Sequence, residues 1–294
     1  MHGQNSLSMR FFGWWPCDFF RVAAAGLDWA PMKPPQFDPS WPADVLALYR
    51  HDMQEIWDPS IAPQIWNQYH NQLDLYRHIS NGRGRLDILD VGCAQGTLAL
   101  LLAEDGHNVC AMDIRQQFLD YAAARHEKGD VRFVCANAME GEIDGHYDLI
   151  FANQIIEHLV YPLALVRRLA ARLKPGGRLV MTTPNGDYLK NSLPSFKELG
   201  DPAQHEHRQF TADGDGHFFA YRAGELTEIF SGAGLRNVRV SHFETPWISG
   251  HMKLRYLHSW VPVALLRALD AATLFVPGLG KRFAHQLLVV GDAQ

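Results

Sequence analysis

A chain of 294 residues is long enough for one large domain or two small ones, and 47% hydrophobic against 20% charged residues excludes a disordered polymer. A formal net charge of −5 gives no general attraction to nucleic acid or to an acidic membrane. The four cysteines, Cys17, Cys93, Cys110 and Cys135, form no C-x-x-C pair, so thiolate-based zinc or redox chemistry has no support.

Residues 1–42 are rich in aromatics and proline and read as an arm packed on the domain. Their most apolar part, residues 11–30, is interrupted by Pro16, Asp18 and Arg21 and is not read as a targeting signal. Residues 43–58 and 64–79 carry apolar side chains near helical spacing, with Ile65, Tyr69, Leu73 and Tyr76 on one side of the second helix. A Gly-rich break follows at 81–85.

From residue 86 strands and helices alternate. Strands are expected at 86–91, 108–112, 131–135, 147–152 and 178–182, and helices at 97–104, 116–124 and 162–173, the last stopped by KPGG at 174–177. A helix at 223–231 and strands at 238–243 and 286–290 complete the pattern. This is a doubly wound α/β plan with a parallel sheet and helices on both faces. Three of the cysteines fall in or at the ends of these buried strands, which fits a reduced, cytosolic compartment. Residues 261–275 are apolar but carry Arg267 and Asp270, so they are not a membrane span.

Ligands of such sheets bind beyond the carboxyl ends of the strands. There the first strand runs through Asp90 into a small-residue turn of Gly92, Cys93, Ala94 and Gly96. Such a turn lets a ligand approach the backbone, and the helix behind it offers free N–H groups. Asp113 closes the second strand, where an acid holds ribose hydroxyls. Asn137 follows the third strand, and Asn153 and Gln154 follow the fourth. The turn lacks the third glycine of a dinucleotide fingerprint, and Asp90 before its first glycine repels a pyrophosphate while suiting an ammonium and a sulfonium.

With these motifs in this order, LDVGCAQG at 89–96, VCAMDI at 109–114, CANA at 135–138, YDLIFANQIIEHL at 147–159 and LKPGGRLVMTTPN at 173–185, the chain resembles class I S-adenosylmethionine-dependent methyltransferases, in particular the ubiquinone-pathway and small-molecule group. The resemblance implies a Rossmann-like seven-stranded sheet whose last strand, at 286–290, is antiparallel. It further implies an S-adenosylmethionine site. Asp90, Gly92, Cys93, Ala94 and Gly96 would line the methionine part, Asp113 the ribose, Ile114, Asn137 and Ala138 the adenine, and Asn153 and Gln154 the methionyl end. The usual middle glycine of the turn is Ala94, a modest change if its φ is negative.

Methyl transfer to a hydroxyl wants a general base. The long, irregular segment 184–222 contains His205, His207, Asp213, Asp215 and His217, and Glu157 and His158 follow the fourth strand. His217 is the first candidate base and His158 the second. Relatives within the resemblance carry E-x-x-E-H there as a divalent metal site. Here the first acid is Gln154, which leaves Glu157, His158 and His217 as a reduced ligand set and metal the minority reading.

The chain thus divides into residues 1–80, an arm and helices covering the active site; 81–245, the cofactor-binding core; and 246–294, a helical lid insertion before the last strand. The acceptor is read as a small molecule or a lipid- or glycan-linked one, methylated on oxygen, with nucleic acid disfavoured and peripheral membrane contact allowed by the apolar, base-dotted residues 247–282. The alternatives are a cofactor-binding protein of this fold that acts only through a partner, and an RNA methyltransferase.

Overall fold

The computed structural model describes residues 36–209 and 216–294. Most of the N-terminal arm, Cys17, Asp213 and Asp215 lie outside the described residues.

Helix α1 (Ala43–Asp52) runs into a wide π-type turn, Met53–Trp57, where the sequence pattern suggested one continuous helix. Helix α2 (Pro63–Ser80) begins on a proline, whose fixed φ suits the first helical position. The sheet has strands β1 (Asp87–Val91), β2 (Asn108–Asp113), β3 (Asp130–Cys135), β4 (Tyr147–Asn153), β5 (Leu173–Pro184), β6 (Arg236–Phe243) and β7 (Gln286–Asp292) in the order β3-β2-β1-β4-β5-β7-β6. The sheet has the seven strands and the antiparallel last strand expected: the strands from β3 through β2, β1 and β4 to β5 pair in parallel, and β7 lies antiparallel between β5 and β6.

Alternation along the strands builds two cores. Leu89, Val91, Met181, Leu287 and Val289 face one side, where they pack with α5 (Pro162–Ala170) and α6 (Ala223–Gly232). Ile88, Val180, Phe243 and Leu288 face the other side, covered by α2 and α3 (Thr97–Glu104). Helix α4 (Gln116–Arg125) joins β2 to β3. Before β7 the chain forms α7 (Pro246–Ser249), α8 (Val263–Phe275) and α9 (Leu279–Phe283).

Two local expectations are corrected. Helix α5 ends at Ala170, and KPGG lies within the irregular start of β5, where Leu173 pairs with Tyr147 and the register shifts before Arg178 pairs with Leu149. Lys174 is held there because its ammonium donates to Asp87 at 2.5 Å and Asp148 at 2.8 Å, tying β5 to β1 and β4. Cys135 is exposed, unlike Cys93 and Cys110, because β3 is an edge strand with an alternating, half-solvated pattern.

Candidate functional site

At the carboxyl end of β1 the backbone turns through three left-handed residues, Gly92 (φ 65°), Ala94 (φ 46°) and Gly96 (φ 74°). A Cβ on Gly96 would sit 2.6 Å from Ala122 Cβ, so close approach as well as the positive φ requires glycine there, while at Gly92 the left-handed φ favours glycine and a Cβ would only push on the end of the Ile155 side chain. Ala94 has the positive φ that its substitution for glycine was expected to avoid. Its strained conformation aims its N–H at Asp113 Oδ2, 2.9 Å away. Arg115 N–H donates to Asp113 Oδ1 at 2.9 Å. Two backbone donors thus lock the carboxylate that ends β2 and leave further lone pairs on both oxygens for a diol. Gly96 is also the N-cap of α3.

Asp90, two positions before Gly92, is buried beside Tyr69 and Tyr76 of α2, and its Oδ2 accepts no hydrogen bond. Burial, reinforced by the negative Asp113, pushes its pKa up to about 8. A cationic group bound beside it would restore the charged form. Half-buried Tyr69 and buried Tyr76 of α2 flank the same space, and the Tyr76 hydroxyl lies 3.1 Å from Thr182 Oγ1. Sequence patterning marked both tyrosines only as apolar face residues.

A second feature escaped the sequence. Arg125, at the end of α4, reaches back to the turn, donating to Gln95 O and Thr97 Oγ1, both at 3.0 Å, and pairs with buried Asp52 of α1 at 3.2 Å. Tyr121 donates to the same Asp52 oxygen at 2.8 Å. The N-terminal helices are therefore bolted to the glycine turn. No local motif announces a contact between residues 52 and 125.

The other expected cofactor residues ring the same edge. Cys93 is buried, and burial pushes its thiol pKa up. Ile114 follows Asp113 with its carbonyl 3.7 Å from the Cys135 thiol, and Asn137 is exposed after β3, its Oδ1 accepting from Met139 N at 2.9 Å. Ala138 is partly buried beside it. Asn153 Oδ1 accepts from Thr182 Oγ1 at 3.1 Å. Gln154 adopts a positive φ of 55°, and its side chain turns to Thr182 and to Gln286 of β7.

On the opposite face of β5, Glu157, His158 and His217 come together, each offering a ligand atom within 4.8 Å of the others. Glu157 is fully buried. Its Oε2 accepts from Thr183 at 3.1 Å, its Oε1 accepts no hydrogen bond and lies 3.9 Å from His217 Nε2, and burial pushes its pKa up to about 8. The His158 and His217 rings stand 4.8 Å apart. His217 is placed by the segment that follows it. Phe218, Phe219 and Tyr221 are buried, and parallel bridges join Ala220 to Ser195 and Tyr221 to Asn185 beyond β5. His205 instead stacks near Phe218.

Three residues the sequence did not mark complete this mouth. His285, at the start of β7, is pushed down to about 4 by burial and by the neighbouring His251 and His217. The His251 ring lies 4.2 Å from it, and Tyr188 OH is 3.2 Å from His251 Nδ1. His251 and His285 bracket the helical insertion, which therefore contributes both of its ends to the site. One carboxylate and two imidazoles are a donor set that fits a divalent cation. The glycine cradle, the locked Asp113 and the uncompensated Asp90 fit an adenosyl sulfonium ligand.

A family profile described as a methyltransferase domain matches residues 49–240. The ubiquinone biosynthesis O-methyltransferase of Caulobacter sp. (strain K31) is 28% identical over 228 residues, which is 67% of this chain and 86% of that protein. The corresponding protein of Rickettsia conorii is 31% identical over 112 residues, covering 37% of this chain and 39% of the relative, and in Rickettsia akari the share of the relative is 43%. The chain thus spans about two-fifths of these Rickettsia relatives. A malonyl-[acyl-carrier protein] O-methyltransferase of Acetivibrio thermocellus is 33% identical over 105 residues, 35% of this chain and 37% of that protein. Among solved structures, magnesium protoporphyrin IX methyltransferase from Synechocystis PCC 6803 with bound SAH superposes with a TM-score of 0.53 at 14% identity, covering 86% of this chain and 95% of that one. At such identity the superposition shows a shared fold.

Proposed function

From the premise that the chain belongs to the class I S-adenosylmethionine-dependent methyltransferases, we propose that the whole protein transfers a methyl group to a hydroxyl oxygen of a small or lipid- or glycan-linked acceptor. The cofactor supplies a methyl group already activated on a sulfonium. The chain's own work is alignment, which is worth about 7–11 kcal/mol when the reacting atoms are held in line. In this reading Asp113 fixes the ribose, the turn at Gly92 and Gly96 admits the methionyl chain against the backbone, and Asp90 balances its positive charge. His217 takes the proton of the acceptor hydroxyl. Buried Glu157 faces the imidazole and, once itself ionised, stabilises the imidazolium, and His158 packs against the ring.

The observation that carries this reading is the convergence of the glycine turn and the Glu157–His158–His217 cluster on the carboxyl edge of one sheet. The O-methyltransferase names of the relatives support oxygen as the target atom. The test is a screen of hydroxyl acceptors for S-adenosylhomocysteine release. His217→Ala is expected to lower kcat by about 10²–10⁴ with cofactor affinity retained. An unchanged kcat removes His217 from the role. A second reading is favoured by the spacing of the same three side chains: they would hold a divalent cation, which would acidify a coordinated hydroxyl. Loss of turnover on chelation, restored by added cation, selects it.

A further inference from the structure

The insertion before β7 has a face unlike the rest of the chain. Helix α8 buries only Leu266 and Asp270. Ala264, Leu265, Ala268 and Ala272 lie on one side of it, and all four are exposed. Trp260, immediately before it, is 88% exposed, and Tyr256, Met252 and Val276 are exposed nearby. An amphipathic helix keeps a polar side for solvent, whereas this one, with Leu266 buried and Val263, Leu269 and Leu274 half-buried, also presents Leu265 and three alanines outward.

Charge says what covers it. Residues 247–285 hold five Lys and Arg and one Asp, a net charge of +4 within a chain of net −5. Two of these bases meet acids outside the segment, Arg267 with Asp74 at 2.7 Å and Lys281 with Asp187 at 3.3 Å, which leaves Lys253, Arg255 and Arg282 exposed around the apolar residues, with Arg255 lying over the Tyr256 ring. Aromatic and aliphatic side chains ringed by bases match an anionic lipid surface, where the rings sit at headgroup level and the bases meet phosphates. No helix among the described residues is long and apolar enough to cross a membrane, so the contact is interfacial.

The face is continuous with the site. His251 adjoins Met252 and Lys253, and the Arg282 carbonyl accepts from Leu189 N beside Tyr188. Leu189 is itself 53% exposed. We propose that the insertion docks on an anionic bilayer through Trp260, Tyr256 and Leu265 with its surrounding bases, so that a lipid-borne hydroxyl acceptor enters the His217 cluster from the membrane side. The acceptor half of this statement rests on the O-methyl-transfer reading, and the docking half is measured without it.

The experiment is co-sedimentation of the full chain with phosphatidylglycerol-containing vesicles and with pure phosphatidylcholine vesicles, alongside calorimetry with S-adenosylmethionine. Partition into the anionic vesicles is expected, weakened by salt. Lys253→Ala and Arg255→Ala are each expected to lower it about fivefold, and Trp260→Ala combined with Leu265→Ala roughly tenfold or more, all with cofactor affinity unchanged. These side chains are solvent-facing, so the variants fold. Absence of anionic-vesicle binding, or equal partition of wild type and variants, overturns the proposal. So does a dimer in sedimentation velocity that Trp260→Ala abolishes, which would give the face to a second copy. Cofactor binding without vesicle binding overturns the docking and leaves the methyltransferase reading standing.

Discussion

Asp90→Asn is expected to make the ligand-free protein more stable and a poorer binder of its cofactor. In the folded chain the carboxyl is buried beside Asp113, and its pKa is raised from 3.8 to about 8. Between these values the unfolded chain has released a proton that the folded chain retains. Stability from this group is therefore fully present below pH 4 and is lost as pH rises toward 8, at about 1.4 kcal/mol per pH unit. At pH 7 the accumulated loss is about 4 kcal/mol. The asparagine escapes it but must still be buried as a polar group, so the net gain is about 2–4 kcal/mol at pH 7. Urea unfolding followed by circular dichroism at pH 5, 6, 7 and 8 reads the difference between the two proteins. It should widen steadily up to pH 8 and then level off. Parallel stability curves would refute the reasoning, since other buried acids such as Glu244, also raised to about 8, are common to both proteins. Wild type should also release a proton on binding S-adenosylmethionine at pH 7, seen as a buffer-dependent binding enthalpy, and the variant should not.

Two further substitutions probe the surrounding machinery. Arg125→Met removes the partner of buried Asp52 and the donor to Gln95 and Thr97. It should cost about 3–5 kcal/mol of stability, read by urea midpoint, and an unchanged midpoint would mean that the N-terminal helices are not held through this pair. Glu157, raised to about 8 by burial, is protonated at neutral pH, so kcat/KM should rise between about pH 7 and 9 as it ionises beside His217. Glu157→Gln should flatten that limb, and an unaltered profile assigns the limb to another group.

The core was legible because its signals are local. Apolar runs ending in Asp90, Asp113 and Asn153 mark strands buried on both faces, and the glycine turn needs only neighbours in sequence. QLLVV reads as a strand for the same reason, and its antiparallel sense came from the family resemblance, whereas its place between β5 and β6 is seen only in the structure. What was not legible depends on distance in sequence. Nothing near Arg125 shows that it meets Asp52, and nothing near His251 shows that it meets His285 across the insertion. Ala94 carries the other lesson. Its identity suggests a negative φ, yet the hydrogen bond from its N–H to Asp113 holds it left-handed, a tertiary demand that overrides the residue's own preference.

The most direct test of the central claim is titration calorimetry of S-adenosylmethionine into the full chain and into Asp113→Ala. The locked carboxylate at the end of β2 is the group assigned to the ribose, and a hydrogen bond to a charged group is worth about 1.5–3 kcal/mol. Wild type should bind at one site, and the variant, still folded by circular dichroism, should bind roughly ten- to a hundredfold more weakly. Equal affinity in the two proteins, or no binding by wild type, would contradict an adenosyl site at the glycine turn.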